Sequence, residues 1–274
     1  MATVISTGLT TVEDGRIPVL ASDGVESVAR QVLARAARSL DHLAGVLAFA
    51  PRVEVKVLSS TDWHAHATFP VYGMPHFADE YTLVVAGEQN DFWLAFVPQV
   101  GAWVPAGLER LRAVYGDLDG AWRLGRFFDL LAIHELAHLF HLQADREFPR
   151  LWLRELFANL CLHSAMVATE HAALTDLRTF PAVVASIDSM RLDHRSLADF
   201  ERLYAEVGPV NYGWYQSRLH VAAESLYDLG GNALLRRVWD ELPRLDTSVS
   251  DTELVKCLDG IHPELAELMI NWPS

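Results

Sequence analysis

The stretch "LLAIHELAHLFH", Leu130–His141, sets three histidines and a glutamate in an otherwise apolar run. The wider segment 127–144, "FFDLLAIHELAHLFHLQA", holds no proline or glycine and many strong helix formers, so it reads as a helix. Residues four apart share a helix face, so His134 and His138 project side by side, one turn apart. A helix apolar on most sides has to be covered on most sides. This segment reads as the floor between the strand-bearing and the helical parts of the chain, and two imidazoles side by side on it need something to bind.

A metal ion answers that need, because zinc takes imidazole nitrogens at about 2 Å. Glu135 sits one step round the helix, too far over to ligate beside the pair. It can instead take a proton from a water on the metal, which is the role of the glutamate in the H-E-x-x-H signature of zincins. Catalytic zinc usually has three protein ligands and a water. The expected third ligand is Glu155, in "FPRLWLRELFANLCLH", on a helix that starts after Pro149. Asn159, four residues on, shares the face of Glu155 and could hydrogen-bond a ligand. His141 lies two turns from His134, about 10 Å along the axis, so it reads as a buried, hydrogen-bonded histidine and not as a ligand.

"HELAHLFHLQ" followed by "PRLWLRELFAN" resembles the gluzincin branch of the zincin metallopeptidases, the thermolysin-like families. Their second helix often reads W-x-x-E-G-x-A-x, and Trp152, Glu155 and Ala158 match by position. Leu156 stands where those families carry glycine, and Asn159 where they often carry an acid. The metzincin pattern fits worse, since its glycine position holds His141 and its last histidine position holds Ala144. The gluzincin resemblance is strong over 127–163. It implies one zinc ion per chain held by His134, His138 and Glu155, with Glu135 as general base in peptide hydrolysis. It further implies a later tyrosine or histidine that stabilises the oxyanion. Within "NYGWYQSRLHVAAESLYDLGG" the expected residue is Tyr215, then Tyr212, then His220. An edge strand for an extended peptide is also implied, and "YTLVVAG", Tyr81 to Gly87, is the expected one.

The remaining sequence fits an α+β chain. Residues 23–49 have helical spacing and stop before Pro51, "RVEVKVLSS" alternates like a strand, and "YTLVVAG" and "DFWLAFV" read as strands. A loop, "TDWHAHATFPVYGMPHFADE", carries His64, His66 and His76 beside the expected cleft. From about Leu108 on, the chain reads helical, with breaks at Gly116–Gly120, Asp145–Pro149, Phe180–Pro181, Gly208–Pro209, Gly230–Gly231 and Pro243. The expectation is one zincin-like domain, 1–274, with a helix-plus-sheet part at 1–125 and a mainly helical part at 126–274.

A net charge of −14 repels phosphate backbones and anionic membranes, which argues against nucleic-acid and membrane partners. No run of about 18 apolar residues is present, and the first residues lack the pattern of a signal peptide. The two cysteines, Cys161 and Cys257, read as free thiols, and a cytoplasmic protein acting on peptides or proteins is expected. A catalytically inactive metal-binding or regulatory protein of the same fold is the alternative.

Overall fold

The computed structural model describes residues 8–13, 15–89, 94 and 96–273. It is α+β, with a five-stranded mixed sheet in the N-terminal part and helices through the rest. The strands are β1 (Thr10–Glu13), β2 (Val19–Ala21), β3 (Glu54–Leu58), β4 (His76–Phe77) and β5 (Thr82–Ala86), in the order β1-β2-β3-β5-β4. The inner pairs β2–β3 and β3–β5 are parallel, and the outer strands β1 and β4 run antiparallel to their neighbours.

Helix α1 (Glu26–Leu47) makes the crossover from β2 to β3. It buries Ala29, Ala36, Leu40, Leu43 and Leu47, a stripe at helical spacing, and ends at Ala48 in the left-handed region (φ 52°). In β3, Val55 and Val57 are buried and alternate with half-buried Glu54 and Lys56.

Strand β5 corrects one expectation. It is an interior strand, with β4 outside it, so Tyr81–Gly87 is not the edge. Thr82, Leu83, Val84 and Val85 are all buried, as in a strand covered on both faces, whose sequence is a continuous apolar run without alternation. The edge is the two-residue β4 inside the loop read as unstructured. Strands β1 and β2 precede the first helix, where no strand was expected. Most of "DFWLAFV" lies outside the described residues, and its last two, Phe96 and Val97, open a helix instead of a strand.

The helices that follow are α2 (Trp63–His66, one turn), α3 (Phe96–Trp103), α4 (Pro105–Tyr115), α5 (Gly125–Phe128), α6 (Leu131–Gln143), α7 (Leu151–Thr169), α8 (Leu174–Ala185), α9 (Leu197–Leu203), α10 (Pro209–Glu241), α11 (Asp251–Ile261) and α12 (Pro263–Ile270). The motif helix is α6. It packs on α7, on α1 and on strands β4 and β5, so sheet and helices meet across it. One continuous core runs from Ile17 to Trp272, and α4, from the first 125 residues, packs on α8, from the rest.

Several expected breaks fall where glycine and proline mark them. Pro209 opens α10, and Gly231, at φ 55°, kinks it. The expected break at Phe180–Pro181 is instead bridged within α8. Proline cannot donate to the ladder and crowds the preceding turn. Just before it, the buried Tyr115 hydroxyl inserts between Asp176 and Phe180, donating to the Asp176 carbonyl and accepting from Phe180 N–H at 3.0 Å. A side chain from another helix thus repairs the ladder where the sequence weakens it. No described helix is long and apolar enough to cross a membrane, and Cys161 and Cys257 are free.

Candidate metal centre

Helix α7 carries Glu155 in its second turn. Its N-terminal amides need partners, and no side chain of its own caps them. Glu201 of α9 supplies both, taking Leu151 N–H and Trp152 N–H at 3.0 Å each. A carboxylate at a helix N-terminus also complements the helix dipole. This fastens α7 where it must present Glu155 to α6.

His134, His138 and Glu155 converge, and among the described residues they are the one group of three such side chains that could hold a metal. Nε2 of His134 lies 3.2 Å from Nε2 of His138 and 3.2 Å from Oε2 of Glu155, and the third edge, His138 Nε2 to Glu155 Oε2, is 3.7 Å. Ligands about 2.0–2.1 Å from one tetrahedral ion stand about 3.3 Å apart. The three edges fit that triangle.

The surrounding bonds turn the lone pairs inward. His134 Nδ1 lies 3.1 Å from Asn159 Oδ1, which can only accept, so a proton sits on Nδ1 and Nε2 is the nitrogen that faces His138 and Glu155. His138 Nδ1 lies 3.2 Å from Nε2 of the buried His141. Burial, then the Arg154 charge, lowers His141 to about 4, so its imidazole is neutral. Asn159 and His141 therefore take the places expected of them.

Glu155 is 1% exposed, an expensive place for a carboxylate without partners. Burial would raise its carboxyl, but His138, His134 and Arg154 outweigh that and hold it well below the usual range. Oε1 takes Tyr204 Oη–H at 3.0 Å and Arg154 at 3.1 and 3.3 Å, and Oε2 takes Gln216 Nε2–H at 3.0 Å. Arg154, Tyr204 and Gln216 were not foreseen in these roles. Gln216 had a signal in the sequence, since Tyr212, Gln216 and His220 recur every four residues along α10.

Glu135 faces a cavity of about 480 Å³ that also reaches His134, Asn159, Tyr212, Gln216 and His220. The cavity is otherwise mainly apolar, with Phe127, Phe128, Leu131, Phe180 and Val184 on one side and Phe69 and Met74 of the loop on another. Burial lifts the Glu135 carboxyl to about 7.

Tyr215 is not brought to the site. Its ring is fully buried, stacks on Trp272 at 6.1 Å and packs against Phe200, and its hydroxyl donates to the Ser196 carbonyl at 2.8 Å. Tyr212 and Tyr215 are three apart, a spacing that can put two residues on one helix face. On this helix the cavity wall follows 212, 216 and 220, and Tyr215 falls on the side turned to the C-terminal residues. Tyr212 lines the cavity, and its oxygen accepts from Gln216 Nε2–H at 3.1 Å. His220 also lines the cavity, and burial lowers it to about 3.

The loop histidines form no second metal group among the described residues. His76 instead ties the loop together. Its Nδ1–H donates to the Met74 carbonyl at 2.8 Å, and its Nε2 accepts from Thr68 N–H and Phe69 N–H at 3.2 Å each.

Comparison with protein-family models, with curated proteins and with solved structures finds no match.

Proposed function

We propose that this protein is a zinc-dependent metallopeptidase of gluzincin type with a zincin-like fold, acting on peptides or proteins. The observation that carries the reading is the triangle of His134 Nε2, His138 Nε2 and Glu155 Oε2, with edges of 3.2, 3.2 and 3.7 Å, beside a carboxylate on a cavity wall. Two imidazoles and one carboxylate are a donor set of catalytic zinc sites.

Zinc at that point would supply Lewis acidity and a water acidified toward neutrality. Glu135 would accept the water's proton on its carboxylate and deliver it to the leaving amine. Its raised carboxyl, about 7, suits a group that must both take and return a proton near neutral pH. The developing oxyanion needs a fixed donor. Tyr212 takes the role first expected of Tyr215, because its oxygen is already held by Gln216 on the cavity wall. His220 is one further turn along from Gln216. An extended peptide could add to the outer edge of β4, and the apolar cavity favours a neutral side chain next to the scissile bond.

The test is Glu135→Gln, which keeps shape and removes the base. Zinc stays bound and peptide turnover is abolished if the reading holds. Turnover close to that of the parent would exclude Glu135 as base. A parent that binds zinc but cleaves nothing in a peptide library would favour the inactive metal-binding alternative.

A further inference from the structure

We propose that Arg154 and Tyr204 are positioning residues that restrict Glu155 to ligation through a single oxygen, an inference that rests on the metal-centre reading above. The two oxygens of Glu155 have different surroundings. Oε2 faces the imidazoles, 3.2 Å from His134 Nε2 and 3.7 Å from His138 Nε2. Oε1 is turned away and receives three donors, Arg154 Nη2–H at 3.1 Å, Arg154 Nε–H at 3.3 Å and Tyr204 Oη–H at 3.0 Å. A carboxylate that chelates an ion must rotate until both oxygens face it. That rotation would break all three bonds to Oε1, in a pocket where Glu155 is 1% exposed and water cannot replace them.

The clamp is itself held. The Arg154 guanidinium lies over the Tyr204 ring, 5.4 Å from its centroid, so each donor steadies the other. Tyr204 sits at φ 41°, ψ −106°, a region that a residue with a side chain rarely occupies and that persists only where its surroundings enforce it. It follows directly on α9, whose Glu201 grips the first amides of α7. Helix α9 therefore fixes both the start of the helix that carries Glu155 and the turn of the carboxylate. Single-oxygen ligation matters because a catalytic ion needs open positions for water and substrate. Chelation would occupy one of them.

Cobalt(II) in place of zinc reads the coordination directly, because four-coordinate cobalt absorbs visible light far more strongly than cobalt of higher coordination number. Spectra and metal stoichiometry are recorded for the parent, for Arg154→Met with Tyr204→Phe, and for Arg154→Lys with Tyr204→Phe. The second pair keeps ring and charge and removes only the phenol and the planar fork, so it guards against a loss of fold in the first. The parent should bind one cobalt with intense bands, and both pairs should keep the metal but lose visible intensity. Parent-like intensity in both pairs overturns the clamp while leaving the metal centre in place. A parent that binds no cobalt, or that binds it equally well as His138→Ala, overturns the metal centre itself.

Discussion

Asn159 Oδ1 lies 3.1 Å from His134 Nδ1 and holds that imidazole with its Nε2 lone pair turned toward His138 and Glu155. The amide of one helix thus orients the ring of a side chain on the helix before it. Asn159→Leu keeps the branched shape, at a somewhat larger volume, and removes the acceptor. Loss of such a partner typically costs about 10- to 100-fold in metal affinity. Zinc affinity by chelator competition should fall by that much in Asn159→Leu and be kept in Asn159→Asp, which retains the acceptor. Equal affinities in all three proteins would show that the contact does not orient the ring.

The two tyrosines of α10 should separate cleanly. Tyr212→Phe removes a hydroxyl on the cavity wall, and turnover should drop by about 100- to 1,000-fold with metal content intact. Tyr215→Phe removes a buried donor from the Ser196 carbonyl. That carbonyl keeps the Phe200 N–H at 3.2 Å, so the loss is one ordinary hydrogen bond, about 0.5–1.5 kcal/mol in stability, with turnover per folded molecule unchanged. Thermal unfolding and steady-state kinetics on both variants check the pair. The reverse pattern would return the oxyanion role to Tyr215.

The loop that walls the cavity should loosen in mild acid. Burial lowers the His76 pKa from its ordinary 6.5, and its Nε2 must stay unprotonated to accept from Thr68 and Phe69. A depressed histidine favours the folded state fully above pH 6.5, and that contribution is lost as pH falls from there through the folded-state value. Hydrogen-exchange protection of the Thr68 and Phe69 amides, corrected for intrinsic rates, should therefore decrease below about pH 6.5. Protection that does not change with pH would mean that His76 does not hold the loop.

What the sequence made legible was local. The i, i+4 spacing put His134 and His138 on one face, and the same rule put Asn159 over the turn that carries Glu155. What it hid depends on tertiary neighbours. Helix α10 buries residues on several sides, so spacing alone could not say whether Tyr212 or Tyr215 met the cavity. That was settled by Trp272, 57 positions beyond Tyr215, whose ring stacks on it. Tyr204 matters only because it reaches Glu155 from 49 positions away, which no short window of sequence displays, and adjacency alone does not say that Arg154 folds back onto the carboxylate beside it. Strand β4 has two residues, too few for an alternation to be read. The unbroken run "TLVVA" did carry the mark of an interior strand.

Metal analysis of the purified chain tests the central claim most directly. Zinc per chain is measured by elemental analysis for the parent, His138→Ala and Glu155→Ala, each confirmed as folded. The account predicts one zinc in the parent and a large loss in both variants, because three protein ligands hold the ion. Unchanged zinc in both variants, or none in a parent supplied with it, would contradict the assignment of His134, His138 and Glu155 as a metal centre.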